Sequence, residues 1–261
     1  MVTKTRRPAV TRYPNRTRIL AGALVFILLG SGIVITLNNV NKNETFEEVL
    51  TATNCPPLNK SEVPILTFNQ SPQMCIRPTS NYVAIFETTE GKIKFELDTE
   101  RTPNTVNNFI VLTNYRYYDN TLLFRLDPTI AIIQGGAPHT NNWSDPGPGY
   151  TIADECVGCE EVFMPLTNGM VRGPFNYLPG QLVMARSAGL NSSGAQFFFT
   201  TGEEVAALDQ QGSYIVFGKT NKPGLEVLQK IMGLYQKDAS SPYGGGPSRP
   251  VILRSVTIEE T

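Results

Sequence analysis

The stretch LLFRLDPTIAIIQGG, residues 122–136, reads as two short apolar strands on either side of an Asp-Pro turn. Two residues break the apolar pattern. Arg125 stands inside the first run, and Gln134 closes the second just before Gly135 and Gly136. Polar groups are costly to bury without partners, so a guanidinium and an amide in such strands need a reason. Side chains alternate between faces along a strand. Leu123 and Arg125 are therefore expected on one face, and Ile132 and Gln134 on another. In GAQFFFTTGE, residues 194–203, the same alternation sets Gln196 and Phe198 against Phe197 and Phe199. One set fills a core. The other makes an apolar surface with a few directed hydrogen-bonding groups, which is how a groove for a small ligand or a peptide is built.

Outward from that stretch the chain is mostly strand. YVAIFETTEGKIKFELD, residues 82–98, predicts a hairpin turning at Glu90-Gly91. TPNTVNNFIVLTN, residues 102–114, switches to helical spacing, with Thr102 as N-cap, Pro103 at the first helical position, and Val106, Phe109, Ile110 and Thr113 on one face. GQLVMAR, AQFFFTT, YIVFGK and PVILRSVTIEE are strand-like. GLEVLQKIMG, residues 224–233, is a second helix with Leu225, Leu228 and Met232 on one side. Short strands with only two helices predict a mainly β fold, a closed antiparallel barrel with helical caps.

The N-terminal part has a different character. Residues 19–37, ILAGALVFILLGSGIVITL, carry no charge. As a helix they span about 28 Å, close to a bilayer core. Lys4, Arg6, Arg7, Arg12, Arg16 and Arg18 precede them, and no acid occurs before Glu44. The positive-inside rule then keeps the N-terminus cytoplasmic and puts the remainder outside. A cleaved signal peptide is the rival reading, but its apolar core is normally shorter. The expected organisation is a basic tail (1–18), a transmembrane anchor (19–37), a polar stalk (38–54), a disulfide-closed extension (55–80) and a β domain (81–261).

The net charge of −1 argues against a nucleic-acid partner, which usually requires a basic face. The single histidine, His139, follows Gly-Gly-Ala-Pro and reads as a loop residue; it excludes most histidine-rich metal sites. No metal or cofactor is expected. Four cysteines suit an exported domain, where disulfides persist. Three pairings are possible, and proximity favours Cys55 with Cys75 and Cys156 with Cys159. The Cys-Val-Gly-Cys stretch at 156–159 also raises thiol-disulfide exchange or zinc. A redox site needs a helix after the first cysteine, however, and here two acids, Pro165 and Gly169 follow. A local disulfide in a loop insertion is the expected reading.

Several blocks in order resemble one family, the cyclophilins, which are peptidyl-prolyl cis-trans isomerases. They are FRLDPTIAIIQGG, GPGYTIADE, GQLVMARSAGLNSSGAQFFFTTGE and YIVFGK, with TPNTVNNFIVL similar to the family's first helix. The resemblance covers roughly residues 82–260, and the Ala-Arg-Ser segment is more like bacterial members. It implies an eight-stranded barrel, proline-containing polypeptides as substrates and a monomer. It also implies that Arg125 is catalytic, that Ile132, Phe198 and Leu208 form the proline pocket, and that Gln134, Arg186, Gln196 and Tyr214 bind substrate. Two other classes of function stay open beside it: a catalytically weak proline-peptide-binding module, and thiol exchange at Cys156 and Cys159. The sequence departs from the family pattern in a turn one residue longer between Arg125 and Gln134, and in Ala131 and Ala207 where aromatics are common. A wider, less aromatic pocket is expected.

Overall fold

The structure is a computed structural model and describes residues 55, 56, 60, 61, 63–239 and 241–261. The basic tail, the apolar span 19–37 and the stalk lie outside the described residues. Among the described residues no helix is long and apolar enough to cross a membrane.

The first five strands are β1 (Tyr82–Thr88), β2 (Lys92–Leu97), β3 (Thr121–Leu122), β4 (Arg125–Asp127) and β5 (Ile132–Gly135). An insertion then carries the short strands β6 (Met164–Pro165) and β7 (Val171–Arg172). β8 (Gln181–Arg186), β9 (Ser193–Thr200) and β10 (Val216–Thr220) follow, then β11 (Tyr235–Lys237), β12 (Gly245–Pro247) and β13 (Ile252–Glu260). Helix α1 covers Pro103–Asn114 and α2 covers Lys222–Met232. The main sheet runs β3-β13-β1-β2-β10-β8-β9-β5-β4, all antiparallel, while β6-β7 and β11-β12 form separate two-stranded ribbons.

Only Leu123 and Phe124 separate β3 from β4, yet these strands stand at opposite ends of the order. The sheet must therefore curl until its two edges meet. The Leu123 N–H donates to Val251 O at 2.9 Å, and the Phe124 N–H donates to Gln134 O at 3.0 Å. The chain passes from one edge to the other across a single peptide. β3 and β4 do not pair with each other, so the architecture is a curled sheet of nine strands rather than a closed ladder of eight. This hand-over also corrects the expected alternation. Leu123 is fully buried in the core, whereas Arg125 is half-buried at the groove described below, because strand periodicity does not run through 123–124.

Inside the curl the inward residues of neighbouring strands pack ring against ring. β2 alternates strictly, with Ile93, Phe95 and Leu97 inward and Lys92, Lys94 and Glu96 outward. Phe86 touches Phe95, Phe109, Phe197 and Phe199, mostly edge to face. This geometry suits the ring quadrupoles and places the largest apolar areas away from water.

α1 is more buried than its one apolar stripe predicts: every residue from Thr105 to Asn114 is buried. Its outer side is covered by the extension that precedes β1. Asn107 is the link. Its side-chain carbonyl accepts the Cys75 and Ile76 N–H groups at 2.7 and 3.2 Å, and its amide donates to Gln73 O at 2.8 Å. Phe68 is buried against Tyr115 and Tyr150, and the Cys55–Cys75 disulfide closes the loop as proximity suggested. Thr102 sits at the N-cap position, but its hydroxyl donates to Asp98 O and makes no cap bond. The cap comes from Glu155, whose carboxylate accepts the Asn104 and Thr105 N–H groups at 3.2 and 2.5 Å. An anion at a helix N-terminus is favoured by the free N–H groups and the dipole.

In α2 the buried face is Gly224, Leu228 and Ile231, one position round from the expected Leu225, Leu228 and Met232. The shift follows from Gly224, which lets the helix lie directly on Thr220 and Ile93.

Candidate active site

β4, β5 and β9 lie side by side, and their register sets Arg125 opposite Gln134 and Gln134 opposite Phe198. The outward-facing polar side chains then meet in a row. Arg125 Nη1 donates to Gln134 Oε1 at 3.0 Å, and Gln134 Nε2 donates to Gln196 Oε1 at 2.9 Å. Arg125 Nη2 pairs with Asp127 Oδ2 at 2.8 Å. Asp127 is itself fixed by the Thr129 N–H and hydroxyl, at 3.0 and 2.6 Å on Oδ1. Burial pushes the Asp127 carboxyl up, but the bonds from Thr129 and Arg125 outweigh it and the pKa falls below its ordinary value. The carboxylate therefore stays charged, and the guanidinium is pinned along one edge.

The apolar part lies beside this row. Ile132 and Phe198 are each 3% exposed, and Phe198 meets the edge of Tyr214 with ring centres 5.5 Å apart. Tyr214 is held in turn by Tyr177, whose hydroxyl accepts the Tyr214 N–H at 2.7 Å and donates to Tyr214 O at 3.0 Å. Burial raises the Tyr177 pKa, so this hydroxyl keeps its proton. Leu208 ends the 3-10 turn Glu203–Leu208 and packs, partly buried, on the core. On the far side of the glutamines a cavity of about 360 Å³ opens between Trp143, Pro148, Arg186, Gln196 and Tyr243. The arrangement is a strip of oriented donors, with an apolar floor on one side and a polar cavity on the other. Such a surface can hold an extended peptide and direct N–H groups at one bond. Among the described residues it brings together no paired nucleophile and base.

The family model for cyclophilin type peptidyl-prolyl cis-trans isomerase/CLD matches residues 83–258. The chain belongs to the cyclophilins. Over 183 residues it is 30% identical to peptidyl-prolyl cis-trans isomerase A of Dickeya dadantii, covering 69% of this chain and 85% of that protein. Over 141 residues it is 36% identical to peptidyl-prolyl cis-trans isomerase B of Bacillus subtilis, covering 54% of this chain and 83% of that protein. A probable peptidyl-prolyl cis-trans isomerase B of Mycobacterium leprae is 31% identical over 180 residues, which cover 67% of this chain and 56% of that protein. Among solved structures, a cyclophilin type isomerase of Cryptosporidium parvum, crystallised in the presence of the dipeptide Ala-Pro, superposes with a TM-score of 0.52 at 27% identity. That match covers 69% of this chain and 99% of the other. The activity is peptidyl-prolyl cis-trans isomerisation, and the substrates of this family are proline-containing peptides.

In this cyclophilin Arg125, Ile132, Gln134, Gln196, Phe198 and Tyr214 come together around β4, β5 and β9, while Leu208 packs on the core from the 3-10 turn. Arg186 lines the cavity, but both of its Nη atoms are engaged. Nη1 donates to Ser213 O and Nη2 to Asp154 Oδ2 and Gly189 O, in an ion pair whose side chains are 4% and 2% exposed. Arg186 thereby holds the 187–192 loop in place. Ala131 is buried in left-handed backbone and its carbonyl accepts the Thr201 N–H and hydroxyl, while Ala207 is exposed on the 3-10 turn. His139 bonds Asp145 and Thr67 in an exposed loop, a structural role as expected. Cys156 and Cys159 are bonded to each other in a turn followed by β6, not by a helix, so the dipole that activates a redox thiol is missing there.

Sequence reasoning missed two groups at this site. Asp127 was passed over as part of a turn, although its place two residues after Arg125 put both on one face. Tyr243 lies with its ring centre 3.9 Å from the Arg125 guanidinium carbon, and nothing local to it announced that contact.

Proposed function

We propose that Arg125 is the catalytic residue of this isomerase, and that the enzyme acts on exported polypeptides from a membrane-anchored position. An X-Pro bond turns slowly because amide resonance must be broken, at about 18–20 kcal/mol. In the twisted state the prolyl nitrogen regains its lone pair and becomes a hydrogen-bond acceptor. A donor that meets that lone pair only when the bond is twisted lowers the barrier without raising ground-state affinity. A guanidinium is suited to this, since it stays charged at any working pH and its donors are fixed in a plane.

The observation that carries the reading is the fixed guanidinium beside an apolar floor. Asp127 and Gln134 hold one edge of Arg125, and Ile132, Phe198 and Leu208 are the apolar side chains against which a pyrrolidine ring would pack in this reading. Gln134 and Gln196 position the substrate backbone, Tyr214 supports Phe198, and Arg186 shapes the adjoining cavity. The enzyme works as a monomer without a cofactor. Export and anchoring rest on the uncharged span 19–37 behind a basic tail, and on two disulfides in the domain.

The test is an isomerisation assay on a proline peptide with the full-length chain and its Arg125→Ala variant. Loss of a preorganised donor of this kind costs about 100-fold or more in kcat/KM. A variant as fast as the parent, with unchanged thermal unfolding, refutes the assignment.

A further inference from the structure

We infer that Tyr243 is a positioning residue for Arg125, delivered to the site by the β11–β12 hairpin as a strap across β4. The inference rests on the reading of Arg125 as the catalytic group. The contact itself is plain. The Tyr243 ring centre is 3.9 Å from Arg125 Cζ, well inside the range in which a cation is drawn to an aromatic face. The in-plane contacts of the same guanidinium go to Gln134 and Asp127. Arg125 Nε is buried without a hydrogen-bond partner among the described residues. Two edge contacts and one covered face leave the guanidinium little freedom to rotate, and water is kept from that face. A donor that does not need to reorganise when the bond twists is worth more than a mobile one.

The hairpin is built to bring that ring there. β12 pairs with β11 through Gln236 and Gly246 and through Lys237 and Gly245. It passes close beside the chain entering β4, since a Cβ on Gly246 would lie 3.2 Å from Phe124 O. Gly245 permits the close pairing within the hairpin, because a Cβ there would meet Gln236 O on β11 at 2.4 Å and the Tyr235 ring at 2.5 Å. The tip is closed by bonds from Asp238 N to Gly244 O, from Gly244 N to Ser241 O and from the Tyr235 hydroxyl to Gly244 O. At the base the Ser248 N–H donates to Leu234 O. Tyr243 is thus carried by its own ribbon, and its ring meets the β4–β5–β9 surface at Arg125. It also lines the 360 Å³ cavity with Gln134 and Gln196, so a bound peptide runs past the edge of the ring.

The experiment is a double-mutant cycle on the full-length chain, reading kcat and KM separately for a proline peptide. Tyr243→Phe keeps the ring and is expected within about twofold of the parent. Tyr243→Leu and Tyr243→Ala lose the aromatic face, and kcat is expected to fall about tenfold with KM nearly unchanged. In an Arg125→Ala background, removal of Tyr243 costs nothing further. Equal rates for Tyr243→Leu, Tyr243→Phe and parent overturn the inference. So does an undiminished loss from Tyr243→Leu in the Arg125→Ala background, because the ring then acts without the arginine. If Arg125→Ala alone is as fast as the parent, the assignment of Arg125 fails and the positioning role with it. If Arg125→Ala is slow and Tyr243→Leu is fast, only the positioning role falls.

Discussion

Glu90 is expected to be a buried clamp whose removal is felt in stability and not in turnover. It sits in the β1–β2 turn with a side chain 1% exposed, and its carboxylate accepts both Nη atoms of Arg249, with Lys230 Nζ at 3.3 Å. Those cations come from the segment before β13 and from α2, so one carboxylate ties three elements. Glu90→Gln keeps the volume and removes the charge. Losing one partner of a fully buried pair costs about 3–5 kcal/mol. Here the partners are 53% and 60% exposed and rehydrate when released, so the cost falls to about 2 kcal/mol. For a domain of this size that lowers Tm by about 4–8 °C. Arg249→Ala should cost more than Glu90→Gln, because it leaves a buried carboxylate with only Lys230 beside it, whereas Glu90→Gln frees two solvated cations.

The pH dependence has a definite sign. The bonds from Arg249 hold the Glu90 pKa below its ordinary 4.5, against the upward push of burial. A depressed carboxylate contributes stability above its unfolded pKa and loses it as pH falls through the folded one. The gap in Tm between parent and Glu90→Gln is therefore full at neutral pH and closes below about 4.5. Thermal unfolding of both full-length proteins, followed by circular dichroism from neutral to acid pH, measures it. No gap at neutral pH, or a gap that ignores pH, refutes the reasoning.

Two further outcomes follow from close contacts and from charge. Gly224→Ala puts a Cβ 1.9 Å from Thr220 Oγ1, whose hydroxyl bonds Lys94 O. Overpacking of about 2–3 kcal/mol then exceeds the gain of about 1 kcal/mol from helix propensity, so Tm falls; a raised Tm shows that the helix moves freely. An impermeant protease added to intact cells should cleave the β domain from the membrane, and complete protection removes the case for export.

Much of the site is legible in the sequence. Arg125, Gln134, Gln196 and Phe198 lie in strands, where alternation assigns faces, and polar residues there stand out. The disulfides were legible from spacing, since each closes a short loop. Less was legible wherever the chain leaves a strand. Leu123 was assigned to the face of Arg125, but the intervening peptide carries the chain from one sheet edge to the other. Local spacing places Thr102 correctly at the N-cap position, but the capping bonds come from a carboxylate far along the chain, that of Glu155.

The sequence by itself determined the long strands of the main sheet, the helix positions and the family, because these follow from periodicity, turn residues and ordered motifs. Tertiary structure alone decided what surrounds the guanidinium. SPYGGGP, residues 241–247, reads only as a turn. Its tyrosine reaches Arg125 because a glycine-rich ribbon can press against β4 when the sheet curls. Contacts between distant segments depend on how surfaces close on one another, and no local pattern of residues encodes that closure.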